Sequence, residues 1–185
     1  MLLLKLVLIL CIIYLALCAL LFACRWKLVF HPTRANPFLT HPWKKNHIVI
    51  PNRNIPLHGW LFERSKQAPL LIYFGGNAER ISYHFDNIQK FPNASLLLMS
   101  YRGYDETPGS PSQAALFSDA LAIYDYVVNE LKIPSSQIFL MGRSIGSSVA
   151  AYLASERSVQ GLILITPFDR ITNIVKQFSL FRPFA

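Results

Sequence analysis

The chain has 185 residues, 52% of them hydrophobic, and a formal charge of +8. That is enough for one domain with a real core. The charge is local: eight Lys or Arg and one acid, Glu63, lie between Arg25 and Lys66, whereas nine basic and nine acidic residues balance from Gln67 to Ala185. A basic excess confined to one end argues against nucleic acid and for anionic lipid head groups as its partner, with a merely solvated basic linker as the alternative.

Leu6 to Cys24 is an uncharged apolar run of 19 residues. As a helix it nearly spans the ~30 Å hydrocarbon layer of a bilayer. It shows no polar face, so residues 1–24 are read as a single N-terminal membrane anchor. Lys5, the run and Ala23 also fit a secretory signal, and Leu21-Phe-Ala-Cys24 resembles a lipoprotein box with Cys24 as the lipidated residue. The length of the run favours an uncleaved anchor. Arg25, Lys27 and Arg34 would lie on the cytoplasmic side by the positive-inside rule, while Lys5 argues the other way. Cys11, Cys18 and Cys24 all lie in or beside this segment, so residues 25–185 form no disulfide among themselves.

Residues 25–45 form a basic, aromatic neck, where Pro32, Pro37 and Pro42 oppose a long helix. Trp26, Phe30, Phe38 and Trp43 are expected at the membrane interface, or packed on the domain. Strands are expected over 46–51 and 56–63, with Asn52-Arg-Asn54 as a hairpin turn. A buried strand follows over 69–74, a helix over 79–91 with Ile81, Phe85 and Ile88 on one face, and a strand over 95–100. Ser112 caps a helix to about Leu131, with Leu116, Ala120, Ile123 and Val127 as its apolar stripe. Strands over 137–141 and 161–165 and a helix from Asp169 to Phe178 complete the pattern. Apolar strands alternating with helices predict an α/β fold, a mostly parallel sheet with helices on both faces. Asn93-Ala-Ser95 is a formal glycosylation triplet, common by chance.

Gly142-Arg-Ser-Ile-Gly146 sits between the strand over 137–141 and the small-residue segment Ser147-Ser-Val-Ala-Ala151. A serine at a sharp strand-to-helix turn presents its hydroxyl, and the first N–H groups of the new helix face the charge that develops on attack. Ser144 is the candidate nucleophile, and Gly142 and Gly146 remove side chains where strand and helix come close. Gly75-Gly-Asn-Ala-Glu79 follows the strand over 69–74 in the same way. Gly75 and Gly76 let the backbone approach a substrate oxygen, and the N–H groups of Asn77 and Ile145 are expected to form the oxyanion hole. A third polar segment, Tyr101-Arg-Gly-Tyr-Asp-Glu-Thr-Pro-Gly-Ser-Pro-Ser112, lies at the carboxyl edge of the sheet, where open α/β sheets carry their sites.

With these three motifs in order, the chain resembles membrane-anchored α/β-hydrolases of the serine-hydrolase superfamily, from about Lys27 to Phe168. The resemblance implies hydrolysis of a small acyl ester, thioester or amide through an acyl-enzyme on Ser144. Asp105 departs from it, where many relatives have glycine, and puts the shape of that loop in question. No metal or organic cofactor motif is present.

The mechanism needs a base and a carboxylate after the serine. His31, His41, His47, His58 and His84 all precede Ser144, and only Glu156 and Asp169 are acidic after it. Asp169 is read as structural, His84 as a surface histidine and His58 as a strand residue. About 160 residues remain beyond the anchor, against about 200–250 for a complete domain of this type. Residues 46–185 are therefore expected to be an incomplete α/β-hydrolase domain with its C-terminal part missing, and inactive or impaired. A non-catalytic truncated homologue or a membrane-bound interaction protein is the alternative.

Overall fold

The computed structural model describes residues 2–168. Asp169 and the helix expected over 169–178 lie outside the described residues. The chain divides into two compact units, one ending at His31 and one beginning at Pro32.

The first unit is a single helix, α1 (Leu2–Val29), long and apolar enough to cross a membrane. It runs five residues past Cys24, because Arg25-Trp-Lys-Leu-Val29 contains no helix breaker. Arg25 donates from Nη1 to the Phe22 carbonyl at 2.6 Å. Lys27 sits in the last turn, where a cation meets the negative end of the helix dipole.

The second unit begins with two short helical pieces, α2 (Pro37–Thr40) and a 3₁₀ helix over His41–Asn46. Pro37 and Pro42 stand in their first turns, where a missing N–H costs little. Trp43 packs on the domain, its ring 5.4 Å from Phe62 and 6.0 Å from Phe85. Phe38 is exposed.

Among the described residues, six strands form one sheet in the order β1-β2-β4-β3-β5-β6. They are β1 (His47–Asn52), β2 (Ile55–Phe62), β3 (Leu70–Phe74), β4 (Ser95–Met99), β5 (Ile138–Arg143) and β6 (Gly161–Ile165). β1 and β2 form an antiparallel hairpin closed by Arg53-Asn54, with Arg53 at φ 54°. Two-residue hairpin turns need positive φ to match the twist of the strands. β2 joins β4 antiparallel, and the remaining pairs are parallel. β3 and β4 are buried at every position, which explains the apolar runs Leu70–Phe74 and Leu96–Met99.

The sheet is covered differently on its two faces. Trp60, Phe62, Leu71, Tyr73, Leu96 and Leu98 pack with Ile81, Phe85 and Ile88 on one face. Those last three belong to a 3₁₀ helix over Ile81–Lys90, not to the α-helix expected there. Ala78 at φ 56° breaks the winding before Ile81, so the element starts late. The opposite face carries α3 (Gln113–Asn129) and α4 (Ile145–Glu156). Ser112 caps α3 by accepting from the Ala115 N–H at 3.2 Å, and Leu116, Ala120, Ile123 and Val127 are buried as expected. Phe117 of α3 stacks on Tyr152 of α4 at 4.0 Å. At the far side of the sheet, Leu162 to Ile165 of β6 remain 38–42% exposed.

Asp119 on α3 fastens the hairpin to the helical layer. Its carboxylate accepts from both Nε and Nη2 of Arg102 and from Nδ2 of Asn52 at 2.6 Å. The side chain is 6% exposed, so removing it strands a half-buried guanidinium. Asp119→Ala is expected to cost about 3 kcal/mol, the usual loss when one partner of a buried pair is deleted. Urea unfolding of the full chain in detergent measures it.

Candidate active site

β3 lies between β4 and β5. The chain leaves β3 toward β4 through the 3₁₀ helix on one face, and leaves β5 toward β6 through α4 on the other. A crevice opens where connections diverge in this way, at the carboxyl ends of the strands. The loops after β3 and β5 both end there, and they carry Gly75-Gly76-Asn77 and Ser144.

Ser144 joins β5 directly to α4, with φ 52° and ψ −118°. A non-glycine residue in this region is strained, and such strain persists only where the surroundings hold it. Its N–H donates to the Ile165 carbonyl of β6 at 2.9 Å. Its carbonyl accepts from the Ser147 N–H at 2.9 Å and from Ser147 Oγ. Ile145 opens α4 and is buried. The flanking glycines are steric necessities. A Cβ on Gly142 would lie 2.2 Å from the Gly146 carbonyl oxygen, and one on Gly146 would lie 2.0 Å from that of Phe74.

The two loops meet. A Cβ built on Gly76 would fall 3.7 Å from Ser144 Cβ and 3.7 Å from the Arg143 carbonyl oxygen. The Gly75 carbonyl accepts from the Tyr101 hydroxyl at 2.8 Å, and Asn77 Oδ1 accepts from the Tyr104 hydroxyl at 2.8 Å. The Tyr101–Ser112 segment therefore braces the glycine loop from the β4 side. Asp105 resolves the question its identity raised: it stands at φ 48°, a conformation glycine adopts freely and Asp tolerates better than most residues. Its carboxylate accepts from Thr33 Oγ1 at 3.1 Å and Ser100 Oγ at 3.0 Å. Burial pushes its pKa up despite those bonds.

Glu79 organises the site, although no sequence motif marks it for a role. Oε1 accepts from the Tyr73 hydroxyl and from His84 Nε2, each at 2.5 Å. Oε2 accepts from the Gly76 N–H at 2.8 Å and from Arg143 Nη1 at 2.7 Å. One carboxylate thus joins the glycine loop to the residue preceding Ser144. Burial alone would raise its pKa, but the bonds from His84, Tyr73 and the Gly76 N–H outweigh burial and hold it at about 2. The same environment, burial first and the Glu79 carboxylate second, pushes the Tyr73 hydroxyl up. An acid three residues after a glycine turn, able to reach back to its N–H, was the available sequence signal.

No hydrogen bond joins a histidine to Ser144 among the described residues. His84 is partly exposed, as expected, and is also bound to Glu79. His58 pairs with His47 at 3.1 Å on the hairpin. His31 lies 3.2 Å from the Val29 carbonyl oxygen. Asp169 is outside the described residues.

Because the folded-state pKa of Glu79 lies below its ordinary value of 4.5, its contribution to stability is full above that value and is lost as pH falls toward about 2. Glu79→Gln is expected to flatten this acid limb of the stability profile and to lower stability at pH 7. Unfolding midpoints measured from pH 2 to 7 test both effects.

No family model matches the chain. It is 29% identical over 161 residues to the α/β hydrolase domain-containing protein WAV2 of Arabidopsis thaliana, covering 83% of this chain and 49% of that protein. An α/β hydrolase from Vibrio vulnificus superposes with a TM-score of 0.65 at 23% identity, over 80% of this chain and 55% of that one. A putative α/β hydrolase from Agrobacterium tumefaciens superposes with a TM-score of 0.58 at 20% identity, over 74% and 65% respectively. The chain spans about half the length of the curated relatives it matches. Strand order, elbow and superposition agree: residues 46–168 have the α/β-hydrolase fold, preceded by one long apolar helix.

Proposed function

We propose that the protein is a membrane-anchored serine hydrolase acting on a small acyl ester, thioester or amide. The observation that carries this reading is Ser144 at φ 52° on the strand-to-helix turn, with the Gly76 backbone beside it. The Ser144 hydroxyl attacks the acyl carbonyl carbon and passes its proton to a histidine base, which a triad enzyme of this fold carries after its serine and which residues 1–185 do not contain there. The N–H groups of Asn77 and Ile145 stabilise the resulting oxyanion. The alcohol, thiol or amine departs with a proton, and water then hydrolyses the acyl-serine ester. Gly75, Gly76, Gly142 and Gly146 support this by allowing the close backbone approaches. In this reading α1 is the anchor, and the basic residues after it face anionic lipid.

Residues 1–185 contain no histidine after Ser144. A triad enzyme that loses one member keeps only about 10³–10⁴-fold acceleration over water, supplied by its oxyanion hole and binding. We therefore expect little or no turnover of short p-nitrophenyl esters by these 185 residues, and any covalent labelling by a fluorophosphonate to be lost in Ser144→Ala. Labelling unaffected by Ser144→Ala would sink the assignment of the nucleophile. No labelling at all would favour a non-catalytic homologue or a membrane-bound interaction protein. Turnover at the rate of an intact triad would overturn the expectation of impairment.

A further inference from the structure

Among the described residues, three metal-ligating side chains converge away from Ser144. His47 comes from β1, His58 from β2 and Glu106 from the loop after β4. His47 Nε2 lies 3.1 Å from His58 Nδ1. Glu106 Oε2 lies 3.5 Å from the first and 3.7 Å from the second. A triangle with these sides has a point about 2.0 Å from all three corners, which is the length of zinc–imidazole and zinc–carboxylate bonds. Ligand atoms of a tetrahedral zinc site stand about 3.3 Å from one another by the same bond lengths. The three donors are already spaced to bind.

The fold holds them there. His47 pairs with Trp60 and Val49 with His58, so the two histidines are diagonal neighbours on one face of the hairpin. Their rings lie 5.1 Å apart, and the His47 ring packs 5.5 Å from that of Trp60. The loop carrying Glu106 is tied to the same strand residue. The His58 N–H donates to Thr107 Oγ1 at 3.0 Å, and Thr107 is buried. The Gly103 N–H donates to the Thr107 carbonyl and the Thr107 N–H to that of Tyr104, each at 2.9 Å. All three side chains keep a solvent-facing part, at 26%, 21% and 38% exposure, so an ion can enter and a water can complete its shell.

We propose that His47, His58 and Glu106 form a binding site for a divalent transition-metal ion, with zinc the best fit to two imidazoles and one carboxylate. The ion joins the hairpin to the loop whose Tyr101 and Tyr104 hold Gly75 and Asn77. β2 stands two strands from β3, on the order of 10 Å. The ion is therefore a clip on that loop and not a participant at Ser144.

The test uses the full chain in detergent, stripped with chelator, with Cys11, Cys18 and Cys24 changed to Ser because thiolates bind zinc themselves. Calorimetric titration with Zn²⁺ at pH 7 is expected to give one equivalent. Co²⁺ is expected to give the intense visible bands of tetrahedral coordination. His47→Ala and His58→Ala should each weaken binding by more than about 100-fold, beyond the 10–100-fold typical of outer-shell partners. Glu106→Gln, at the most exposed of the three positions, guards against a folding artefact. It should weaken binding while leaving the metal-free unfolding midpoint unchanged. Absence of a stoichiometric site, or affinity unchanged in these variants, would overturn the proposal.

Discussion

The first turn of α4 lies so close to the end of β3 that no side chain fits between them. Gly146 stands against the carbonyls of Phe74 and Gly75, and Gly142 against the backbone of Gly146. This contact forces the chain to turn at Ser144 within one residue, which puts that serine at positive φ. It also brings the loop after β3 beside the loop after β5. The strained serine and the approach of Gly76 both follow from one backbone-to-backbone contact that two glycines permit.

Polar side chains hold that arrangement in register. A carboxylate with 6% of its side chain exposed is costly unless its oxygens are satisfied. Glu79 meets the condition by taking donors from both loops and from Tyr73 and His84. Its low pKa records how strongly those donors favour the charged form. Asp119 plays the corresponding part between α3, Asn52 and Arg102, and Asp105 ties Thr33 to the loop after β4. Each acid joins segments distant in sequence, so each is a constraint on tertiary placement more than on local shape.

The loop after β4 is the mechanical link between these groups. One side reaches the glycine loop through Tyr101 and Tyr104, and the other reaches β2 through Thr107. Its positive-φ residues, Gly103, Asp105 and Gly109, fold it tightly enough to do both. Glu106 is carried to the paired histidines as a consequence. A change at the hairpin therefore has a short covalent and hydrogen-bonded route to the backbone beside Ser144.

The sequence by itself determined the elements and the motif positions. Unbroken apolar stretches marked β3 and β4, the Leu116–Val127 stripe marked α3, and Gly142-Arg-Ser-Ile-Gly146 marked the elbow, because periodicity and glycine spacing are local signals. Asp105 looked anomalous in sequence, and its φ of 48° explains it. Trp43 was open between membrane and core until Phe62 and Phe85 were found against it. The winding over Ile81–Lys90 is not legible in sequence, because Ile81, Phe85 and Ile88 share a face in either helix type. Only the tertiary structure decided the partners of Glu79 and the meeting of His47, His58 and Glu106. Arg143 lies 64 residues from Glu79, and Glu106 lies on a loop beyond two further strands from His58. Such pairings depend on strand order, and strand order is set by how whole elements pack, which no local pattern records.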